Sequence, residues 1–592
     1  MSNVKWIQKI QDKKVSKDQR SHNSSVENDL LDEAQEQFEY AKTCKVDYNN
    51  QPLNNKFMDI DKTYRGDQWR TSVPSYKSTP VLNFIFSLIE SEVPRMTDSN
   101  PDLLVYPRYD PESGLLAEEL SRTQKYLWFV NDMKEQIEDA ARMCFKYGTV
   151  FFKAAWDESM TDGLGDVRYS VIHPMNFYPD PRSYKINEME FCFVDVPRSL
   201  EYFCRKWKDK GHLVVPDNLS TDDEEGKRKS SLSADSAALR EYTFRDEDGN
   251  VCIMYYAGDL VLDIIGGKYD GSNKPIYKHN KFPFSRFVNY PLDKEFWGMG
   301  EVELVEVLQR LINSFEAQII DNTRLMANAQ WIINKMQSGI TEEKAWVLNS
   351  RPGAAIFTNN GGVEKAKGEA IPSHVMDHME RLITAMEQIL GIHDVVQGRR
   401  PGGLRAASAI IALQESANIR IRMKASHLER ALEDICSQAN WLVLENYDSE
   451  RRVRIGRGET PITLNVRDAL VSRMLNTAQE QGLMGAEEGM ISPNATPQNI
   501  LPEEQDTLMQ EVKFPDFDLE VKIGPSVPYS QALLYEQAKE FYSLGLIDRK
   551  AVLDLTNFPN KEEIMQRMAE QERAVAEAEA AAQKGERVGE RY

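Results

Sequence analysis

Residues 405 to 447 contain neither proline nor glycine, and Ile421, Leu428, Ile435 and Leu442 recur within them every seven positions. Seven residues make close to two turns of an α-helix, so these side chains share one stripe. At 1.5 Å per residue the helix extends roughly 65 Å, more than the width of a small domain. Its many charges exclude a membrane span. A rod of this length needs packing partners along its stripe, and the rest of the chain has to supply them.

The stretch before the rod is GIHDVVQGRRPGGLR, residues 391 to 405. It places adjacent arginines and a Pro-Gly-Gly turn between two helical patterns. One reading is a solvated loop with arginines near a helix end. The other is a loop that touches phosphate, because a guanidinium donates two hydrogen bonds to phosphate oxygens. On the second reading Gln397, Arg399, Arg400 and Arg405 are the contacting residues. Gly391, Gly398, Gly402 and Gly403 supply the backbone freedom.

Upstream, residues 298 to 331 read as a helix. Val305, Leu308, Ile312, Phe315, Ile319 and Met326 form its apolar seam. Its acids include Glu301, Glu303, Glu306, Glu316 and Asp321. An insertion at 332 to 372 follows, with a strand-like AAIF and an Asn-Asn-Gly-Gly turn. A shorter helix starts at Ser373, a suitable N-cap, with Val375, Met379, Leu382, Met386 and Ile389 on one face.

The first half of the chain mixes types. Residues 26 to 45, Leu82 to Met96 (stopping near Pro94) and Leu115 to Phe145 read as helices, with a polar loop after the first. Residues 99 to 108 read as a turn and a short strand, runs at 149–157, 167–174, 190–196, 239–263 and 286–292 read as strands, and Asp248-Gly249 marks a hairpin. Residues 217 to 238 read as a polar surface loop. Residues 451–456, 460–466 and 516–524 read as strands again, and 530 to 592 as helical. The expected class is a mixed α+β, helix-rich chain of more than one domain; residues 26 to 295 suit an α/β or α+β arrangement.

The 592 residues carry a formal net charge of -21, which argues against a simple basic DNA-binding surface. Six cysteines without CxxC spacing suggest reduced, mostly buried thiols. The first 25 residues lack an apolar core of the signal-peptide kind and read as a flexible arm. No P-loop occurs. His374 and His378 have the i, i+4 spacing of a zinc helix but lack the adjacent glutamate, so a helix surface is the favoured reading. In PDFDLEVK, Asp516, Asp518, Glu520 and Lys522 alternate with apolar residues, as an amphipathic strand requires. The competing function is a metal-dependent nuclease using that strand or the histidine pair.

The stretches NFIFSLIESEVPRMTDSNPDLLVYPR (83–108), YGTVFFKAAWDE (147–158), VIHPMNFYPDP (171–181), FWGMGEVELVEVLQRLINSFEAQIIDN (296–322) and GIHDVVQGRRPGGLRAASAIIALQESANIRIR (391–422) occur in this order. Together they resemble the portal proteins of tailed double-stranded DNA bacteriophages. The resemblance implies a wing at 26–295 and 448–528, stem helices at 296–331 and 373–391, and a clip at 332–372. It implies a tunnel loop at 392–404, a long wing helix at 405–447 and a crown at 529–592. It also implies a non-enzymatic ring, typically a dodecamer, at one capsid vertex of the virion, assembled in the host bacterial cytoplasm without cofactor, metal or membrane. Its partners would be the terminase large subunit, major capsid and scaffolding proteins, head-completion, adaptor or tail proteins, and duplex DNA passing without sequence preference. Glu301, Glu306, Glu316 and Asp321 are then the expected channel-facing acids.

Overall fold

The computed structural model describes residues 19–21, 23–69, 73–75, 77–98, 101–108, 113–216, 236–271, 273–327, 331–338, 362–365, 371–391, 419–454, 462–480, 517–522, 538–548 and 552. The N-terminal half opens with α1 (Ser25–Cys44), α2 (Leu53–Arg65) and α3 (Phe84–Thr97). Strand β1 (Asp102–Pro107) and helices α4 (Gly114–Val130) and α5 (Met133–Tyr147) follow. Capping fixes the start of α1: Ser24 Oγ accepts from the Glu27 amide and the Glu27 carboxylate accepts from the Ser24 amide.

Two antiparallel sheets come next. Strands β2 (Thr149–Asp157), β3 (Asp166–Ile172) and β9 (Phe284–Val288) form one, with β2 central. The other, in the order β4-β5-β6-β7-β8, comprises β4 (Phe177–Pro179), β5 (Phe191–Ser199), β6 (Ser236–Arg245), β7 (Val251–Ala257) and β8 (Leu260–Ile265). All named strand pairs are antiparallel, so the arrangement is α+β rather than the parallel α/β alternative. The hairpin expected at Asp248-Gly249 joins β6 to β7. Asp246 Oδ1 accepts the amides of Asp248 and Asn250, and Gly249 has φ 80°. Lys153 of β2 ties the two sheets by an ion pair of 2.5 Å to Glu241 of β6.

The chain then becomes helical: α7 (Glu301–Ala327), after the short α6 (Leu200–Lys206), then α8 (Ser373–Leu390) and α9 (Ile419–Asn446). Between α7 and α8, β10 (Trp331–Ile333) pairs with β11 (Val363–Lys365). After α9 come β12 (Arg451–Val453), β13 (Ile462–Leu464), α10 (Val466–Glu480) and β14 (Phe517–Lys522). Strand β14 returns to pair with β1, far back in the sequence.

The heptad stripe does what its periodicity demands. Ile421, Leu428, Ile435 and Leu442 are all buried, and α9 lies across β2 and β9 and against β14. Ser285 Oγ of β9 donates to the Ala431 carbonyl at 2.7 Å in the middle of that contact. At the end of α9, buried Asp166 accepts from Tyr447 Oη (2.8 Å) and Tyr126 Oη (3.1 Å), while the Arg451 guanidinium sits 3.8 Å from the Tyr447 ring.

Several sequence expectations need correction. The single helix expected over Leu115 to Phe145 is two, because Asp132 adopts a left-handed φ of 47° and Asn131 turns its amide group to Leu127 and Val167. Asn and Asp tolerate that conformation better than other side chains. Helix α3 continues through Pro94 to Thr97, where Val93, Met96 and Thr97 are buried. The polar loop after α1 holds α2, whose Leu53, Phe57 and Ile60 point inward at helical spacing. The N-cap of α8 is Pro372, without a capping side chain, and Ser373 is already helical. The return region contains the helix α10 as well as strands. Gln19 and Asn23, expected in a flexible arm, are tied to the β7–β8 turn: Asn23 donates to the Asp259 carbonyl at 3.0 Å and accepts from the Val261 amide at 3.2 Å. Residues 1–18, 217–235, AAIF in the insertion, and most of 529–592 lie outside the described residues.

The approach to α7 is set by bare backbone contacts. A Cβ on Gly148 would stand 2.2 Å from the Gly298 carbonyl oxygen, and one on Gly300 would stand 2.3 Å from the Lys146 carbonyl oxygen. Neither contact leaves room for a methyl group, and backbone on both sides prevents easy relief. Gly300→Ala is therefore expected to destabilise the fold by about 3 kcal/mol or more. Gly114→Ala, where nothing lies within 4 Å of the added carbon, should change stability by less than about 0.5 kcal/mol. Denaturant midpoints of the two variants check this.

Candidate functional site

The start of α7 crosses α3 and α9, and the crossing holds three charged groups. Lys424 of α9 has no solvent exposure. Its Nζ donates to Glu92 Oε2 of α3 at 2.8 Å and to Glu301 Oε1 of α7. Glu92 and Glu301 are 1% and 0% exposed. The Phe145 ring lies 4.8 Å from the ammonium and the Tyr290 ring 5.3 Å. Burial pushes the Glu301 carboxyl well above the ordinary carboxylate range, and Glu92 adds to the shift; Lys424 opposes it. Burial also works against the Lys424 charge, but Glu301 and Glu92 more than offset that and raise its pKa.

Further along α7, Gln309 and Asn313 are buried amides on the core face. They grip the strand-like segment before α3. Gln309 Nε2 donates to the Leu82 carbonyl at 2.5 Å and Oε1 accepts from the Phe84 amide at 3.1 Å. Asn313 Oδ1 accepts from the Leu82 amide at 3.1 Å, and Nδ2 donates to Gln68 Oε1 at 2.5 Å. The Leu82 amide and carbonyl and the Phe84 amide thus gain side-chain partners.

Helix α8 packs along α7. Val305 and Ile312 belong to the same core as Leu382, Met386 and Leu390, and His378 meets the Phe315 ring edge-on at 5.4 Å. Ile389, expected on the packed face, is 39% exposed, and Leu390 takes the buried place at 2%. On α7, Met326 is 43% exposed rather than packed. The opposite side of α7 exposes Val307 (63%) and Leu311 (43%), one turn apart.

Helix α8 ends on Gly391 at φ 79°, whose amide caps the last turn. Arg420, near the N-terminal end of the described part of α9, donates Nη1 to the carbonyls of Gln388 (3.4 Å) and Ile389. A guanidinium suits the negative end of a helix dipole. The two feet of segment 392–418 are thereby fastened to each other. Gln397, Gly398, Arg399, Arg400, Gly402, Gly403 and Arg405 lie in that segment, outside the described residues.

Of the expected channel-facing acids, Glu301 needs correction: its side chain is enclosed with Lys424 and meets no solvent. A helix start packed against two other helices leaves no outward face for it. Glu306 keeps partial exposure and pairs with Arg310 at 2.8 Å. Asp321 accepts the Ser78 amide at 3.0 Å, and Glu316 is half-buried. Among the described residues, no group of three or more His, Cys, Asp or Glu is placed to hold a metal ion. Asp518 instead receives Nε and Nη2 of Arg108, at 2.7 and 2.5 Å, across the β1–β14 pair. Asp516 lies outside the described residues.

Helices α7, α8 and α9 contribute to one core and form one unit. A family model described as the phage SU10 portal protein matches residues 161–474, which span that whole unit. The chain belongs to the phage portal protein family. No curated protein matches it. Portal proteins are a structural family, not an enzyme family. Among the described residues of this portal protein, no helix is long and apolar enough to cross a membrane.

Sequence reasoning missed the three-charge crossing and the amide ladder, although both leave a trace. Lys424 stands three residues after Ile421 and four before Leu428, squarely on the buried stripe. Gln309 and Asn313 sit at i, i+4 on the buried side of α7. A polar residue on an apolar stripe implies a buried partner. Asn313→Leu should leave the Leu82 amide and the Gln68 carbonyl oxygen unpaired and cost about 2–5 kcal/mol, read as a lower unfolding midpoint.

Proposed function

We propose that this chain is one subunit of a closed ring at a capsid vertex, through whose bore duplex DNA enters during packaging and leaves on ejection. The match over 161–474 carries this reading, because it covers both α7 and α8, the loop between α8 and α9, and the long helix. A ring repeats one head-to-tail contact until it closes, so each subunit needs an outward apolar surface for its neighbour. Val307 and Leu311 supply one on α7, facing away from the subunit's own core. Burying two such side chains contributes roughly 1.5–3 kcal/mol each.

On this reading segment 392–404 projects into the bore, and Arg399 and Arg400 touch the phosphate backbone without reading bases. The clamp of Arg420 on the end of α8 gives that loop a fixed base. Glu306, Glu316 and Asp321 add negative charge to α7, which limits sticking of DNA to the wall. Insertion 332–372 is the surface for the terminase large subunit and later for head-completion, adaptor or tail proteins. Residues 529–592 form the crown inside the capsid. Twelve subunits, with wing regions at 26–295 and 448–528, complete the arrangement, which docks against major capsid and scaffolding proteins after assembly in the host cytoplasm.

Leu311→Asp should leave the folded subunit intact, with unchanged circular dichroism, and weaken ring assembly more than about tenfold in sedimentation velocity. Rings of wild-type stability would remove the α7 contact from the account. Arg399→Ala/Arg400→Ala should form normal rings but lower DNA packaged per capsid by about tenfold. Unchanged packaging would reduce the loop to a solvated connection.

A further inference from the structure

The Glu92, Glu301 and Lys424 cluster contains two carboxyl groups and one ammonium, all enclosed. Ionising all three would leave one net negative charge with no solvent to screen it, which is costly. The geometry shows where the imbalance falls. Glu301 Oε1 takes the Lys424 contact, but Glu301 Oε2 is buried with no hydrogen-bond donor. A bare carboxylate oxygen in that position is unsatisfied, whereas a protonated one donates a hydrogen bond itself.

Among the described residues, the further cation beside this cluster is Arg95, next to Glu92. Helix α3 contributes Glu92, with Arg95 one turn on; helix α5 contributes the Cys144 thiol and the Phe145 ring. The segment before α7 contributes the Tyr290 hydroxyl, and α9 contributes Lys424 itself. The Arg95 guanidinium places its positive charge on the Glu92 side of the cluster.

We propose that Glu301 holds a proton against the Glu92 carboxylate, so that Glu301, Glu92 and Lys424 together are neutral and act as a proton-dependent lock fastening the start of α7 to α3 and α9. The acidic hydrogen bridges the two carboxyls while Lys424 neutralises the remaining charge. Loss of the proton to solvent leaves two carboxylates facing each other against one ammonium, and the crossing loosens. The sign follows from the raised carboxyl: the folded chain holds a proton that the unfolded chain releases, so stability falls as pH rises above the ordinary carboxylate range. The lock belongs to the folded subunit and stands independently of the ring reading. In an assembled portal it makes the base of α7 the place where pH reaches the stem.

The test is the melting temperature of the full chain from about pH 6 to about pH 9, for wild type, Glu301→Gln, Glu92→Gln and Lys424→Met. Either glutamine leaves a single carboxylate for Lys424 and removes the extra proton. Both curves should be flatter than that of wild type over this range, while Lys424→Met, which strips the counter-charge, should be steeper. Parallel curves for wild type and both glutamine variants overturn the proposal. Should the variants not fold, the wild type alone decides. Its infrared spectrum at neutral pH should contain the carbonyl band of a buried protonated carboxylic acid, fading as pH rises. A spectrum without that band overturns the proposal as well.

Discussion

An ammonium group without solvent access has to be met by carboxylates from whatever elements surround it, and here those elements are three helices from widely separated parts of the chain. Lys424 lies on α9, Glu92 on α3 and Glu301 on α7. Breaking such an enclosed pair typically costs several kcal/mol, because the remaining charge cannot be hydrated. Replacing the whole cluster by apolar side chains would cost far less. What the charges contribute is definition: an apolar crossing admits neighbouring registers, whereas a lysine with two specified acceptors admits one. The direction in which α7 leaves the sheets follows from this crossing together with the Gly148, Gly298 and Gly300 contacts, which bring its preceding backbone against the end of α5.

From that fixed start the remaining geometry is carried by ordinary packing. Helix α8 lies along α7 through Leu382, Met386 and Leu390, and ends where Arg420 holds its last carbonyls. The long helix then runs back over β2 and β9 and reaches the Asp166, Tyr447 and Arg451 cluster. A load applied to segment 392–418 would pass through α8 and the start of α9 into a crossing and a sheet that do not yield easily.

Much of this was legible in the sequence, and the reasons are specific. The long helix was readable because its stripe repeats every seven residues, and the strands at 149–157 and 251–257 because their β-branched and aromatic residues are dense. The family was readable from ordered stretches, and two of them, around Gly148 and around Gly298-Met299-Gly300, prove to be in backbone contact. The break at Asp132 was not readable, since Asn-Asp also occurs within helices, and here Asn131 donates to the Val167 carbonyl and accepts from the Tyr169 amide, contacts far away in sequence. Nor was the burial of Glu301. An acid in a helix's first turn normally faces water, and its partner lies on a helix more than a hundred residues away. Pairing at that sequence distance leaves no local periodicity to detect.

A portal-family chain acting as proposed closes into a ring around a channel wide enough for duplex DNA. Electron microscopy of the purified full-length protein, averaged without imposed symmetry, tests it most directly. Closed rings are expected, with α7 and α8 from each subunit surrounding an axial channel and Val307 and Leu311 covered by the neighbour. Monomers or compact dimers without a bore, persisting across salt and protein concentration, would contradict it.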